Sequence, residues 1–559
     1  MRYYSVIFLL LCALSALAQP KYEVRAVWLA TIGGIDWPTA YAHGAAGAQE
    51  QQRQLCDMLD RLQALNVNTI LLQTRVRATT IYPSEAEPFD GCLTGQPGLS
   101  PGYDPLLFAI DQCHRRGMEL HAWVVTIPIG KWGALGCRQL RKRLPRLVKR
   151  IGDEGYLNPE NPQTADYLAD LCADICRRYD VDGIHLDYIR YPETWRGPKS
   201  PHHITRIVER IHQRVKAVKP WVKLSSAPIG KYDDLSRYTS RGWNARRTVA
   251  QDAQQWLRDG LMDQLYPMMY FRDNHFYPFA IDWHEQSAGR TIVAGLGTYM
   301  LHPREGNWPL GELQRQLAVS RQLGIGHCSF RARFVLDDVK GIRRHLESFD
   351  RHPALIPPMT WAGKAAPTPP ATLDVCRLPQ GDVLTWGGAT DHSGGPYLLY
   401  NIYASTRQPV DISDPANLIA TRHQGNTLTM PRGPQGESLY YAVTALDRYG
   451  SESATARQSD GDDAQLNGEA GLADNAAGQP SASHHPTLLV NDGATLAVPR
   501  RNLFDAKRLI ISDLQGRPLL YCANSARIDI SALPDGVYLL RAQHRKGYLH
   551  RLGTFIIRR

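Results

Sequence analysis

One acidic residue, Asp187, interrupts the apolar run Gly183–Ile189. If this run forms a strand, its side chains alternate between two faces, and His185 and Asp187 lie on the same face. A carboxylate among apolar residues is costly to bury unless it has a partner or a reaction to perform. Two interpretations follow: either Asp187 is catalytic, or it forms a structural ion pair with a neighbouring arginine.

Hydrolysis of a glycosidic bond usually takes two carboxyl groups, one that protonates the leaving oxygen and one that attacks carbon or activates water. A catalytic Asp187 therefore requires a second acid nearby. Asp273 directly follows another apolar run, and in the fold predicted below the two runs face each other across one opening. Position therefore favours Asp273 as the acid/base. The alternatives are Asp36, Glu85 and Glu305.

Aromatic and polar side chains accompany these acids at the ends of apolar runs. Aromatic faces at such places either stack on sugar rings or pack inside the protein. Gln73 and Arg75 share one strand face and are suited to bind hydroxyl or acidic groups, but Arg75 is equally suited to pair internally with Asp187 or Glu85. The predicted substrate-binding residues are Trp28, Asp36, Gln73, Arg75, Glu85, His121, Trp123, His185, Tyr188 and Tyr270.

Short apolar runs alternate with longer amphipathic stretches from Glu23 onward, which is typical of a parallel sheet with crossover helices. The predicted strands are Glu23–Ala30, Asn68–Arg75, Met118–Val125, Gly183–Ile189, Val222–Ile229, Gln264–Tyr270, Thr291–Gly297 and Gly326–Arg333. The predicted helices are Gln51–Leu65, Leu106–Arg116, Thr164–Arg178, His203–Val218, Ala250–Asp259 and Leu310–Leu323.

Eight strands over about 330 residues fit a (β/α)8 barrel, in which catalytic groups lie at the C-terminal ends of the strands. An open doubly wound sheet is the alternative. Such a sheet normally has a glycine-rich phosphate loop after its first strand, and Trp28–Gly34 lacks that pattern. The sequence therefore predicts an α/β fold, a TIM barrel over residues 19–356, with C-terminal β-sandwich domains.

The N-terminus resembles a cleaved signal peptide. A positive residue, Arg2, precedes the apolar run Val6–Leu17, and Ala16 and Ala18 are the small residues of a cleavage site. We therefore predict a signal peptide over residues 1–18 and a protein that is secreted or displayed on the outer cell surface. The alternative is a retained N-terminal anchor.

Short β-like runs follow the barrel over residues 357–457. Leu439–Asp447 and the turn Arg448–Ser453 resemble the penultimate strand and turn of a fibronectin type III domain, with Trp386 in its predicted core. Residues 458–486 have few large apolar side chains and are predicted to be a linker.

Residues 487–559 return to β patterning. Arg508–Arg517, Ile528–Arg541 and the ending Gly553–Arg559 resemble the C-terminal sorting domain of type IX secretion cargo. That resemblance implies the secretion machinery as a partner of a C-terminal sorting or anchoring domain. Another small β-module is the alternative.

Charge and cysteine content limit the remaining partners. A net charge of +10 over 559 residues is a mild excess, which favours an acidic substrate or an anionic surface, or serves solubility. We identify no dense basic run with interleaved aromatics, so we expect no nucleic-acid partner. Cys172 and Cys176 share a helix face without further ligands nearby, so no metal site is predicted and most cysteines are expected to be buried.

The ordered motifs of the predicted barrel resemble glycoside-hydrolase-like family 10. They are Glu23–Leu29 with Asp36–Pro38, Asn68–Ile70, Gln73–Arg77, Tyr82–Glu85 and Pro88–Phe89, Glu119–Val124, and Val181–Tyr188 with Tyr191–Pro192. The family commonly has Asp-Asp-Tyr in the strand-four motif, where this chain has Leu186-Asp187-Tyr188. It often has Pro-Gln before the strand-six aromatic residue, where this chain has Met268-Met269-Tyr270.

The resemblance implies a secreted glycoside hydrolase that cleaves O-glycosidic bonds of an oligo- or polysaccharide, with peptidoglycan glycan strands among the candidates. It implies that Asp187 is the nucleophile or stabiliser, and Asp273 is our predicted acid/base. Two-carboxylate hydrolysis needs no metal or organic cofactor, and none is predicted. The alternative is a non-catalytic protein that binds carbohydrate or cell wall on an inactive barrel.

Overall fold

The computed structural model describes two compact units of the chain, Met1–Asp462 and Asp463–Arg559. The described residues are 19–236, 238, 242–378, 381–431, 439–456, 487–488, 494–498, 506–512, 518–523, 525, 527–534, 536–544 and 549–557. The predicted signal peptide and linker lie outside these ranges. None of the helices in the described ranges combines the length and the apolar character needed to cross a bilayer.

Eight parallel strands close into a barrel in the first unit, each paired with its neighbours in chain order and the last with the first. This closure confirms the predicted (β/α)8 fold. The barrel strands are Arg25–Leu29, Thr69–Arg75, Glu119–Val125, Gly183–Asp187, Lys223–Ser226, Gln264–Leu265, Thr291–Leu296 and Gly326–Ser329. Nearly all their residues are buried, because the sheet has side chains in the barrel interior on one face and helices on the other.

Helices surround the barrel, and their starts follow sequence signals. Pro105 and Pro162 occupy first helical positions, and the side chains of Asp104 and Asn161 cap the helices that follow them. The helices are Gly44–Gln63, Pro105–His114, Leu135–Arg143, Pro162–Arg178, Pro201–Val218, Ala245–Val249, Ala253–Arg258, Tyr277–Glu285, Leu310–Gln322, Ala332–Leu336 and Ile342–Phe349. Those from Leu135, Ala245, Tyr277, Ala332 and Ile342 were not predicted.

Residues 126–161, which we call the insertion, separate the third barrel strand from the next outer helix. They contain the helix Leu135–Arg143 and a three-stranded antiparallel sheet. The strands of this sheet are Pro128–Lys131, Val148–Ile151 and Glu154–Leu157. Seven of the thirteen residues from Arg138 to Arg150 are Arg or Lys and none is aromatic, so this basic run lacks the interleaved aromatic residues that a nucleic-acid partner would suggest.

The barrel has separate interior and outer cores. Trp28, Trp123 and Tyr266 belong to the interior core, whereas residues such as Leu186 pack between the strands and the helices. Six of the nine cysteines in the described ranges are buried, as expected, and all nine are free.

A β-module follows the barrel within the first unit. It consists of small antiparallel sheets of three and four strands, and Trp386 is buried against Tyr400, as its predicted core position requires. Its assignment to the fibronectin type III class stays a prediction. The strands are Thr372–Leu378, Gly381–Gly387, Leu399–Ser405, Leu418–His423, Thr427–Pro431, Tyr440–Leu446 and Glu452–Thr455.

The β-module closes the N-terminal end of the barrel. Arg422 binds Glu119 at 2.9 Å and Asp182 at 2.5 Å, and Arg448 binds Asp182 at 3.2 Å. The approach is close enough that a Cβ at Gly117 would lie 2.4 Å from the carbonyl oxygen of Thr421. We call this layer of ion pairs the floor of the barrel.

The second unit is a separate β domain. Its five-stranded sheet has the spatial order Thr487–Leu488, Leu549–Ile557, Gly536–His544, Ala506–Ser512 and Pro518–Cys522, and Thr495–Ala497 pairs with Arg527–Asp529. Leu509, Leu540 and Phe555 are buried in its core. The predicted β patterning after residue 487 is therefore confirmed, and a sorting role stays a prediction.

Candidate functional site

The carboxyl group of Asp187 lies at the C-terminal end of the fourth barrel strand. Its Oδ2 accepts a hydrogen bond from Trp123 Nε1 at 3.1 Å, and its Oδ1 accepts one from the backbone N–H of Tyr188 at 2.7 Å. Tyr188 has φ +53°, in the left-handed region, and the strand ends there. Strained backbone at a non-glycine residue concentrates at functional sites, and here it directly follows a half-buried acid.

Among the residues that the structure describes, Asp187 has no cation as a direct partner. Arg190 binds Glu193 instead, at 2.5 Å, and no described cation forms an ion pair with Asp187. Burial raises the pKa of Asp187, although the charge of Arg190 and the two hydrogen bonds oppose that effect. This environment favours the catalytic interpretation of Asp187 over a structural ion pair, because structural pairing lowers the pKa of a carboxyl group.

A cavity of about 190 Å³ opens beside Asp187. Its walls come from the loop after the first strand, the ends of the second, third and fourth strands, and the insertion. Glu154, Glu193 and Arg77 contribute the other charged groups of its lining, and Gln73 and Tyr156 contribute polar ones. The cavity therefore brings three carboxyl groups, an amide and a guanidinium group around one space.

Two of these three acids, Glu154 and Glu193, were not predicted as site residues. Glu154 lies on a strand of the insertion and forms an ion pair with Lys131 at 2.9 Å. Glu193 lies six residues after Asp187 in the chain and is 43% exposed. A signal for Glu193 existed, because it directly follows the motif residues Tyr191-Pro192, whereas nothing in the sequence linked Glu154 to the barrel opening.

Three predicted binding residues do lie at this site. Gln73 and Tyr188 line the cavity, and Trp123 donates its hydrogen bond to Asp187. The Oε1 atom of Gln73 accepts from the backbone N–H groups of Thr31 and Ile32, which fixes the orientation of its amide group. A polar group held in this way is preorganised to bind a ligand.

Tyr270 lies on another side of the barrel opening, in an aromatic cluster. Its ring stacks on Phe330 at 5.3 Å and meets the edge of Tyr299 at 5.6 Å. Burial raises the pKa of Tyr270 well above its usual value. The predicted role of Tyr270 in substrate binding stays a prediction.

Trp28, His121 and His185 lie deeper in the barrel interior than the opening. His185 contacts Trp28 Nε1 at 3.1 Å and Ser225 Oγ at 2.9 Å, and burial lowers its pKa well below the usual value, so its ring is neutral. His121 contacts Glu119 at 3.0 Å in the floor. The three side chains are fully packed, so they support the strands from inside and offer no surface to a substrate.

The predicted orientation of Arg75 is wrong. The second strand has a bulge between Gln73 and Arg75, so these two residues do not share a face. Arg75 is fully buried and binds Glu87 at 2.6 and 2.7 Å, so neither predicted internal partner, Asp187 or Glu85, is correct. Glu85 is exposed in a groove beside the outer helix that contains Tyr167, away from the cavity lining.

Three other predicted acids remain, of which Glu305 is exposed and outside the cavity lining, and Asp36 and Asp273 are engaged elsewhere. Asp36 is buried, accepts a hydrogen bond from the backbone N–H of Ala30 at 2.9 Å and pairs with Arg331, so it holds the loop after the first strand. Asp273 is 66% exposed and pairs with Arg315 at 3.0 Å. The structure does not place Asp273 in the lining of the cavity. Its catalytic role stays a prediction.

One group of three potential metal ligands occurs among the described residues, consisting of Glu23, His327 and Asp350. It lies near the N-terminal ends of the first and eighth strands, away from Asp187. Arg321 binds both carboxylates, at 2.7 and 2.6 Å, and Arg25 also approaches both. This arrangement fits an ion network, because two guanidinium groups already occupy the positions of a cation.

The model of the family described as glycosyl hydrolase-like 10 matches residues 23–202 and 192–295. These segments contain Asp187 and both glutamates of the cavity. The barrel thus matches a glycosyl hydrolase-like domain.

Named relatives agree with this match. Glycosyl hydrolase YngK of Bacillus subtilis is 26% identical over 485 residues, covering 79% of this chain and 94% of YngK. Glycosyl hydrolase DigH of Escherichia coli is 28% identical over 299 residues, covering 45% of this chain and 66% of DigH. The family match and these relatives support a glycosidase-type function.

Solved barrels resemble the structure more distantly. The glycoside hydrolase domain of PgaB from Bordetella bronchiseptica has a TM-score of 0.40 and 12% identity, covering 59% of this chain and 99% of that domain. An endo-1,4-beta-D-mannanase from Thermotoga petrophila has a TM-score of 0.38 and 10% identity, covering 56% of this chain and 88% of that one.

Proposed function

We propose that this protein is a glycoside hydrolase that cleaves O-glycosidic bonds of an oligo- or polysaccharide, with Asp187 and Glu193 as its two catalytic carboxyl groups. The observation that carries the proposal is the cavity at the barrel opening. There Asp187 is half-buried and has no ion-pair partner among the described residues, and Glu193 lines the same space. Two carboxyl groups beside one space are what glycosidic hydrolysis requires.

The pKa of Asp187 and the ion pair of Glu193 indicate which of the two carboxyl groups is the proton donor. Because burial raises the pKa of Asp187, this carboxyl group holds a proton at a higher pH than an ordinary aspartate does, which suits proton donation to the leaving oxygen. Glu193, ion-paired with Arg190, is then the group that attacks carbon or activates water. This assignment differs from the sequence-based one, in which Asp187 is the nucleophile or stabiliser and Asp273 the acid/base.

The departure from the family motif does not weaken the proposal. Leu186 stands where the family commonly has its first strand-four acid, and it is buried in the outer core between strands and helices. Asp187 points to the opposite face of the strand, toward the cavity. Replacing an acid at position 186 by leucine therefore removes no carboxyl group from the cavity.

The second carboxyl group is tested by three matched amide variants, Glu193→Gln, Glu154→Gln and Asp273→Asn. Glycan cleavage is measured on a panel that includes peptidoglycan glycan strands. We expect Glu193→Gln to lose about 10²–10⁴-fold in kcat/KM and the other two to change by less than about fivefold. A large loss in Asp273→Asn alone would support the sequence-based assignment instead. Binding without turnover by the unaltered protein across the panel would indicate a carbohydrate-binding protein on an inactive barrel.

The role of Asp187 is tested with aryl glycosides, whose leaving group departs without a proton. If Asp187 is the proton donor, Asp187→Asn loses much less activity on these substrates than on glycans. Equal losses on both, with recovery by added azide, would identify Asp187 as the nucleophile.

We further propose that the protein acts outside the cytoplasm and that residues 487–559 take part in its export or anchoring. The support is the signal-peptide pattern of residues 1–18 and the resemblance of the C-terminal residues to a sorting domain. Cell fractionation of the full chain and of a chain without residues 487–559 tests this proposal. Equal amounts at the cell surface or in the medium would contradict a sorting role.

A further inference from the structure

The insertion carries a dense group of cations that we call the cationic surface. It consists of Arg138, Arg141, Lys142, Arg143, Arg146, Lys149 and Arg150. Six of these side chains are exposed and Arg141 is half-buried, and none forms an ion pair with any carboxylate in the described ranges. The nearest acids in sequence, Asp153 and Glu154, both bind Lys131 instead, at 2.9 Å.

The neighbouring outer helices differ from the cationic surface. On the neighbouring outer helices, arginines commonly pair with aspartates, as Arg210 does with Asp166 and Arg214 with Asp170. Seven like charges within thirteen residues repel one another and have no compensating partner in the described fold. Such an arrangement destabilises the free protein slightly and becomes favourable when an anionic partner binds.

The cationic surface is continuous with the proposed active site. Lys149 lies opposite Tyr156 in the sheet of the insertion, and Tyr156 lines the cavity that contains Asp187. The ammonium group of Lys149 also lies 5.8 Å from the ring of Trp195, which packs on Tyr191 just beyond the fourth strand. A chain that leaves the cavity across Tyr156 therefore meets the cations directly.

We propose that the cationic surface is an accessory binding site for the acidic groups of a carboxylated glycan whose neutral part occupies the cavity. This inference rests on the proposed hydrolase function and names its substrate class. The cavity has three carboxyl groups, which repel a chain that is anionic at every unit, so the negative charges of the substrate belong outside it. The insertion supplies the compensating charge at that place.

A nucleic acid fits this surface less well. Binding of single strands uses exposed aromatic rings on which bases stack. Trp132, the aromatic residue in the middle of the surface, is covered by Arg141 at 4.0 Å and Arg150 at 5.2 Å from its ring centre. Its ring therefore holds two guanidinium groups in place, so they face solvent in a fixed arrangement.

The test uses polygalacturonate as a probe of the cationic surface alone, because the cavity repels a chain that is anionic at every unit. Its methyl-esterified form, which lacks the charge, is the comparison ligand. All proteins carry Asp187→Asn, so turnover does not disturb the equilibrium. One variant adds Arg138→Glu, Lys142→Glu and Arg146→Glu, and its matched control adds Arg351→Glu, Lys364→Glu and Arg407→Glu, which are exposed cations without described ion pairs on or near the β-module. Circular dichroism and melting temperature confirm that both fold.

We expect the insertion variant to lose at least about tenfold in affinity for polygalacturonate at about 50 mM salt, and the control less than about twofold. The esterified polymer should bind weakly and equally to all three proteins. Equal losses in both triple variants would show an effect of net charge alone and would overturn the proposal. The proposal would also be overturned if oligothymidylate bound more tightly than polygalacturonate and the insertion variant lost that binding. Because binding is measured without turnover, absence of hydrolysis by the unaltered protein would refute the proposed function separately.

Discussion

At the N-terminal end of the barrel strands, Glu119 and Asp182 contact Lys223, Arg422 and Arg448, whereas at the C-terminal end Asp187 contacts no cation in the described structure. Glu119 and Asp182 are buried and Asp187 is half-buried, and the first two lie at the opposite end of the third and fourth strands from Asp187. Burial by itself raises the pKa of Glu119, but the charges of Lys223 and Arg422 outweigh it and lower that pKa to about 2. For Asp187 the effect of burial prevails and its pKa is raised.

The floor and the opening use an acidic side chain inside the barrel in two different ways. In the floor, each carboxylate is surrounded by cations, and removing one partner leaves an uncompensated charge, which destabilises a fold by about 3–5 kcal/mol. At the opening, Asp187 has no ion-pair partner among the described residues. This arrangement lowers the stability of the fold, and a catalytic role for Asp187 explains why it is present. Replacement of an acid by its amide should therefore impair activity at the opening and stability in the floor.

The largest expected effect is on activity at the opening. Asp187→Asn should lower glycan cleavage by about 10³-fold or more and change the free energy of unfolding by less than about 1 kcal/mol, because an amide of equal size replaces an unpaired charge. The matched floor variant, Asp182→Asn, should be strongly destabilised yet cleave normally per folded molecule. Urea denaturation and initial rates check both, and a large stability loss in Asp187→Asn would end the distinction.

The link between β-module and barrel gives the next largest effect. Arg422→Met removes the cation between Glu119 and Asp182 and should lower the free energy of unfolding by about 3–5 kcal/mol. Arg407→Met, an exposed arginine of the same module, serves as the control and should change it by less than about 0.5 kcal/mol. Similar small changes in both would show that the floor contributes little to stability.

Acid should destabilise the floor before it affects an unpaired site. The pKa of Glu119 is lower in the folded state than in the unfolded state, so its contribution is fully present above about pH 4.5 and is lost as the pH falls toward about 2. The contribution of Asp187 to stability changes with pH in the opposite direction, because its pKa is raised and its burial becomes less costly as the pH falls. Urea denaturation across this pH range should show that the free energy of unfolding depends less on pH in Glu119→Gln than in the unaltered protein. An unchanged pH dependence would contradict a lowered pKa of Glu119.

The smallest expected effect concerns the hydrogen bond from Trp123 to Asp187. Trp123→Phe removes a donor at 3.1 Å, which should lower kcat/KM by about two- to tenfold and shift its pH profile because the pKa of Asp187 rises further. Trp28→Phe is the control, since Trp28 donates its hydrogen bond to His185, and no hydrogen bond from it to Asp187 occurs in the described structure. An equal shift of the pH profile in both variants would indicate a general packing effect.

Much of the fold was predictable because local periodicity records which face of a strand or helix is buried. Each of the eight predicted strands contains the observed one, and the helices beginning at Pro105, Pro162 and Pro201 follow their predicted ranges closely. The prediction for Arg75 failed for a local reason, since a one-residue bulge reverses the faces after Gln73. The insertion was missed because its strands are only four residues long and alternate poorly.

The sequence alone determined the barrel, the position of Asp187 at a strand end, and the presence of β structure beyond the barrel. Only the tertiary structure decided which groups surround Asp187, and it selected Glu193 and Glu154 for the cavity and left Asp273 outside its lining. It also decided that Arg422 reaches Glu119 across 303 residues of chain. The physical reason is that alternation specifies the face of each side chain, whereas the neighbours of an acid are set when the barrel closes and its loops and modules pack around it.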